Sequence, residues 1–232
     1  MTSQIVHDLG SKIVKGAYST QAGFPVEAEL CEQYGASRTV LREAVKMLSA
    51  KGLLSSRPRR GTELQPEEQW NILDPDVLTW LLERKTSIRL MLEFTEVRLA
   101  VEPAAAAMAA LSGNQAACQK IGHALDRMRA AEQGDDDPLE SDIEFHSAIL
   151  HASGNRFFCE LAHLVEVALR FSIRTTNQLK GVAVASVEEH ARVAKAIFAA
   201  DPQGAEAAMR VMLHDVKMLL SSDRAKTTLQ EV

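Results

Sequence analysis

A mainly α-helical chain with one small β-hairpin is what these 232 residues predict, and three observations predict it. Apolar residues recur at three- and four-residue intervals over most of the length, the spacing of one helix face. That period gives way to strand-like alternation once, at residues 53–64. Beyond it, Gly, Pro, Asn and Asp cluster at breaks spaced one helix apart, with no further strand signal. The expected organisation is an N-terminal module at 1–65, a linker at 66–73, and an all-helical antiparallel bundle of about seven helices at 74–232.

Within the module a helix is expected over Glu27–Tyr34, after Pro25, with Leu30, Cys31 and Tyr34 on its apolar side. Gly35 makes a turn. Ser37 is suited to cap the next helix, where Val40, Leu41, Ala44, Val45 and Leu48 form one face while Arg38, Thr39, Arg42 and Lys46 occupy the other. Residues 53–56, an arginine-bearing tip and residues 62–64 then read as strand, turn and strand. Two short helices joined by a glycine turn and followed by a basic hairpin make a winged helix-turn-helix, which implies DNA as the partner. Charge segregates to match. Residues 1–61 hold nine Lys or Arg against five Asp or Glu, net +4, whereas 62–232 hold 17 against 26, net −9. The acidic remainder should avoid phosphates rather than bind them.

In the bundle, Asp74 and Pro75 form an N-cap and N1 pair that opens a short helix at 74–83. A long helix is expected at 87–111, with Leu90, Phe94, Val97 and Val101 on one side and a kink at Pro103. Further helices fit 114–132, 139–152, 155–176, 186–199 and 202–221, and the alanine-rich stretch 104–110 implies close helix approach. No apolar run approaches the roughly 20 residues that cross a bilayer, and the first residues lack the apolar core of a signal peptide, so a cytoplasmic location without membrane association is expected. Cys31, Cys118 and Cys159 each fall on an apolar stripe without C-x-x-C spacing. Reduced, buried thiols are expected.

The module resembles the GntR superfamily of bacterial transcription regulators. The matching residues are P-x-E-x-E-L at 25–30, S-R-T-V-L-R-E-A at 37–44, L-x-x-x-G-L-L at 48–54 and R-R-G-T at 59–62. By that resemblance Ser37, Arg38, Thr39 and Arg42 on the recognition helix, with Arg59, Arg60 and Gly61 on the wing, contact double-stranded operator DNA. Arg38 and Arg42 are the candidates for base readout, because arginine can donate two hydrogen bonds to O6 and N7 of guanine; Ser37 and Thr39 suit phosphate. Many members carry arginine where this chain has Ala28. Their operator preferences therefore do not transfer directly.

One constellation stands out in the bundle. Asp142 and His146, four apart, lie about 40 degrees apart around a helix and share a face. His190 and His214 lie on consecutive helices, each about 12 residues from the intervening turn, so their heights should match. One carboxylate and three imidazoles would suit zinc, with nickel, manganese or another divalent metal as alternatives, and would leave a coordination position for water or ligand. Taken singly, each residue has an ordinary alternative as a surface pair or a satisfied core histidine. D-x-x-x-H followed by histidines on the last helix pair resembles the FCD-type effector domain, which implies Asp142, His146, His190 and His214 as metal ligands. The same resemblance places an arginine in R-x-x-V-E-P, which is Arg98 here; its planar guanidinium can grip an effector carboxylate bidentately, the alternative being an ion pair with Glu102 or Asp142. Arg174 and Asn177 are further effector-contact candidates. His151, about 140 degrees from His146, points away.

Together these imply a homodimeric regulator on a pseudo-palindromic operator, released from DNA when a small organic acid completes the metal shell and is gripped by Arg98. Residues 70–83 and E-A-E-L-C-E at 27–32 are similar to a branch of the family that represses galactonate operons. That similarity implies a sugar-acid effector, D-galactonate or a related aldonate. The rivals are a metal-dependent hydrolase or lyase using Asp142, His146, His190 and His214, and a sensor of the metal ion itself. The enzyme reading lacks a spare general base and leaves the basic module unused.

Overall fold

The computed structural model describes residues 1–18, 23–57, 61–84, 88–181 and 185–222. Its contacts divide the chain into two compact units, Met1–Lys85 and Thr86–Val232.

The first unit opens with α1 (Thr2–Val14), a helix not among the expected elements. Ile5, Val6, Leu9 and Ile13 form its buried stripe. Gly10, a poor helix former, interrupts the signal yet is required: a Cβ there would lie 2.3 Å from the Trp80 ring. Next come α2 (Glu27–Tyr34) and α3 (Arg38–Ala50). Gly35 closes α2 at φ +57°, with Ala36 N–H donating to the Cys31 carbonyl, and the Ser37 hydroxyl accepts from Val40 N–H to open α3. Leu41, Ala44 and Leu48 bury one face of α3 and leave Arg38, Thr39 and Arg42 exposed. Strands β1 (Leu54–Arg57) and β2 (Gly61–Leu64) pair antiparallel, Leu54 opposite Leu64 and Arg57 opposite Gly61.

The expected linker is instead tied to this unit. Gln65 N–H donates to the Leu53 carbonyl, Asn71 N–H to the Lys51 carbonyl, and the Trp70 indole to the Gln65 carbonyl, each at 3.0 Å. Gly52, at φ +78°, admits this return; a Cβ would meet the Gln69 carbonyl at 2.3 Å. Helix α4 (Pro75–Arg84), capped by Asp74, packs against α1 and buries Val77, Trp80 and Leu81. The division thus falls after Lys85, not at 65–74. Hydrophobic burial of Trp80 against Gly10 moves the boundary, because α4 covers α1 rather than joining the bundle.

The second unit is all-helical: α5 (Ile88–Ser112), α6 (Gln115–Gln133), α7 (Pro138–Ala152), α8 (Arg156–Lys180), α9 (Val187–Phe198) and α10 (Pro202–Leu220). Asn114, Asp137, Ser186 and Asp201 cap four of them with their side chains. The most extensive packing is α10 on α5, α6 on α7 and α7 on α8. Ala105, Ala106, Ala109 and Ala110 sit in the core. Pro103 lies within α5. The buried stripe of α5 differs from expectation. It runs through Met91, Thr95, Arg98, Glu102, Ala105 and Ala109, while Val97 is 43 % exposed and Leu90 half-buried. Its central members are charged, so an apolar pattern could not reveal it. The three cysteines are free and half-buried. Among the described residues no helix is long and apolar enough to cross a membrane.

Candidate metal centre and nucleic-acid interface

Three helices converge on the candidate metal centre. Asp142 and His146 project from α7, His190 from the first turn of α9, and Arg98 with Glu102 from α5; all five are at least 96 % buried. The Nε2 atoms of His146 and His190 each lie 3.3 Å from Asp142 Oδ1. The opposite ring nitrogens are engaged. Nδ1 of His146 faces Glu102 Oε2 at 2.6 Å, and Nδ1 of His190 faces the Ser186 carbonyl at 2.7 Å. With both Nδ1–H groups donating, the neutral form of each ring, the form that binds a metal, directs an Nε2 lone pair toward Asp142. Asp142 Oδ1 and His190 Nε2 are buried without a hydrogen-bond partner. Three acceptors aimed at one point, all within 4.8 Å of one another, are the donor set of a cation site. The 3.3 Å separations match the edge of a tetrahedron with bonds of about 2.0–2.1 Å, as zinc makes. Asp142, His146 and His190 would hold the ion, with Glu102 and the Ser186 carbonyl fixing the two rings.

Until a cation displaces their protons, the same imidazoles serve as positive partners of the buried carboxylates. Burial would raise the Glu102 carboxyl, but the Arg98 and His146 charges outweigh it and hold Glu102 down to about 2. Burial likewise pushes Asp142 up and is outweighed by the two imidazoles, leaving it well below the ordinary carboxylate range. His146 is pushed down by burial and pulled further up by Glu102.

Arg98 is committed to Glu102, with Nε at 2.5 Å from Oε1 and Nη2 at 3.3 Å from Oε2. Its Nη2 is nearly equidistant from both nitrogens of His146, at 3.2 and 3.1 Å. A point equidistant from two nitrogens flanking Cε1 is off the in-plane lone pair of each, so the guanidinium does not consume the Nε2 lone pair. Arg98, Asp142, His146 and His190 border one cavity of about 40 Å³, whose lining also includes Ser172, Thr176 and Asn177 of α8 and Met212 of α10. Of the effector candidates, Arg98 and Asn177 border this cavity and Arg174 does not. Arg174 is exposed, because Ser172, Ile173, Thr176 and Asn177 occupy the inner face of α8.

His214 also stands elsewhere. It is exposed on α10, whose inner face is Met209, Met212, Leu213 and Val216. Equal height on two helices does not fix the angle around the axis, and His214 lies about 200 degrees from Met212. Glu102, Ser172 and Thr176 escaped the sequence reading as functional candidates. For Glu102 a signal existed: it stands four residues after Arg98, next to Pro103, inside the same motif.

The second candidate face is on the N-terminal unit. Ser37, Arg38, Thr39 and Arg42 lie together at the start of α3, all exposed, with Gly61 opening β2 beyond. The Ser37 hydroxyl is already engaged as a cap. Arg59 and Arg60 lie outside the described residues.

Residues 1–64 match the gntR family of bacterial regulatory proteins, and residues 93–215 match the FCD domain. The chain belongs to the GntR family. This GntR-family chain is 36 % identical to the galactonate operon transcriptional repressor of Escherichia coli K12, a match covering 91 % of this chain and 93 % of that one. It is 32 % identical to the HTH-type transcriptional regulator LutR of Bacillus subtilis 168, over 83 % and 88 % of the two chains. A solved GntR structure from Streptococcus agalactiae superposes with a TM-score of 0.51 at 25 % identity, covering 94 % of this chain and 100 % of that one. These are transcription regulators, not enzymes, which removes the hydrolase or lyase reading. The GntR-family module binds DNA, and the FCD unit carries an Asp/His/His cluster that could hold a metal.

Proposed function

We propose that this chain is a homodimeric, ligand-released repressor controlling uptake and catabolism of a small organic acid, sensed at the buried cluster of α5, α7 and α9. The observation that carries it is the charge of that cluster. Arg98, Glu102 and Asp142 with neutral imidazoles sum to −1. A divalent ion brings this to +1, and one bound carboxylate neutralises it, which a low-dielectric site favours strongly. Arg98 Nη1, not used in the pair with Glu102, remains for that carboxylate. Ser172, Thr176 and Asn177, which line the same cavity, offer polar groups to a hydroxylated acid. Together with the galactonate operon relative, this supports a sugar acid, an aldonate first.

The size of the cavity supplies the coupling. About 40 Å³ is close to the space of a single water molecule, so an aldonate enters only a bundle whose helices have moved apart. Such a ligand has different affinities for the two bundle states, the requirement for shifting a population. In a dimer reading a pseudo-palindrome, a shifted bundle would change the spacing of the two recognition helices and release DNA.

A second reading, in which the ion itself is the signal, is favoured by the same cavity, which admits an ion and one water without expansion. Fluorescence anisotropy on the chain's own upstream DNA separates them. Titration with aldonates and uronates, with and without chelator, should show release by one acid only in the metal-loaded protein. Release by metal alone selects the second reading, and no response to any acid or to metal removes both.

A further inference from the structure

The DNA-reading face holds a charged group that the functional reading leaves unused. Glu27, at the first residue of α2, reaches across to α3: its Oε2 accepts from Arg42 Nε at 2.9 Å, and its Oε1 lies 3.9 Å from Arg38 Nε. The side chains of Arg38 and Arg42 are 74 % and 65 % exposed, and that of Glu27 is 37 % exposed. Exposed ion pairs contribute little to stability. A carboxylate between two arginines also lowers attraction to a polyanion. Neither stability nor general affinity for nucleic acid therefore accounts for its place.

Orientation does. The backbone of α2 is anchored by buried Leu30 and by the Gly35 turn into α3, so Glu27 stands at a fixed position against that helix. With Nε held by Glu27, Arg42 presents its two terminal nitrogens outward as a fork, the shape that meets O6 and N7 of guanine. On another base, Arg42 can turn to a phosphate only by leaving Glu27. That departure strips the carboxylate of its partner in front of the DNA backbone.

We propose that Glu27 is a positioning and specificity-determining residue for operator readout: it aims Arg42, steadies Arg38, and disfavours complexes in which Arg42 finds no guanine. This rests on the assignment of Arg38 and Arg42 as base-reading residues, and the controls below keep the two apart.

The experiment measures affinities of the full chain and its Glu27→Gln, Glu27→Asp and Arg42→Ala variants for an operator from its upstream DNA and for a scrambled duplex, across a salt series. Glu27→Gln should bind the scrambled duplex a few-fold more tightly, and its operator-to-scrambled ratio should fall about tenfold; Glu27→Asp should recover part of that ratio. Parallel weakening on both duplexes would indicate a merely structural role and overturn the proposal. So would an unchanged ratio in Glu27→Gln alongside an Arg42→Ala variant that has lost operator preference. An Arg42→Ala variant that keeps its preference overturns the base-reading assignment itself, and this proposal with it.

Discussion

Glu102 Oε2 stands 2.6 Å from His146 Nδ1, in a place where neither group reaches solvent. That single contact joins the ion pair of α5 to the candidate metal ligands of α7, because the carboxylate that neutralises Arg98 also decides which nitrogen of His146 faces Asp142. Glu102→Gln removes the charge while keeping the shape. Metal affinity should fall by about 10- to 100-fold, as when the partner of a ligating histidine is lost. Arg98 is then left buried without its counter-charge, which costs about 3–5 kcal/mol. Competition against a chromogenic chelator reads the first effect and urea unfolding the second. Unchanged metal affinity in a folded Glu102→Gln protein would count against the centre as drawn.

The two histidines contributed by the last helix pair should behave oppositely. His190 is buried with its Nε2 unpartnered toward Asp142, whereas His214 is exposed. His190→Ala should abolish tight metal binding while leaving operator affinity in place. His214→Ala should leave both unchanged, within about 0.5 kcal/mol in stability, as for an ordinary surface substitution. Calorimetric titration with zinc would decide it, and loss of binding in His214→Ala would return that residue to the ligand set.

Much of this architecture was legible because it is written locally. Gly35 and Ser37 mark the turn and the start of α3, and Asp74, Asn114, Asp137 and Asp201 cap helices close to where the sequence places them. What escaped depends on packing at a distance. Gly10 weakens the helical signal of α1, and its reason is Trp80, seventy residues away. The stripe of α5 was misplaced because Arg98 and Glu102, polar by type, are buried only by virtue of one another. His214 stands on the exposed face of α10, an azimuth that no spacing along a single helix pair can report.

Packing between α1 and α4 gives the third prediction. A Cβ at residue 10 would lie 2.3 Å from two atoms of the Trp80 ring, and that ring is fully buried. Gly10→Ala should therefore destabilise the N-terminal unit by about 1–3 kcal/mol despite alanine's better helix propensity. Trp80→Phe, which shortens the ring system, should rescue part of the loss in the double variant. Urea unfolding of the four proteins completes the cycle; additive effects would mean that the two positions do not meet.

The last prediction concerns pH and the join between α1 and α2. The Tyr34 hydroxyl donates to Asp8 Oδ2 at 2.6 Å, and Lys12 Nζ donates to the same oxygen at 2.7 Å. The Lys12 hydrogen bond, followed by that of Tyr34, holds the Asp8 carboxyl below its usual range. Burial, followed by the bond to Asp8, pushes the Tyr34 phenol well above its usual range. A carboxylate with a lowered pKa stabilises the fold above its unfolded value, about 4, and loses that contribution as pH falls through the folded one. A phenol with a raised pKa contributes fully below about pH 10 and loses its contribution as pH climbs toward the folded value. Both contributions are complete between about pH 5 and pH 9. Tyr34→Phe should cost about 1 kcal/mol across that plateau, the worth of one part-exposed hydrogen bond, and less on the acid side, where Asp8 takes up a proton. Urea midpoints of wild type and Tyr34→Phe at several pH values read the difference directly. A gap that stays constant down to acid pH would mean that Tyr34 draws no stability from the charge of Asp8.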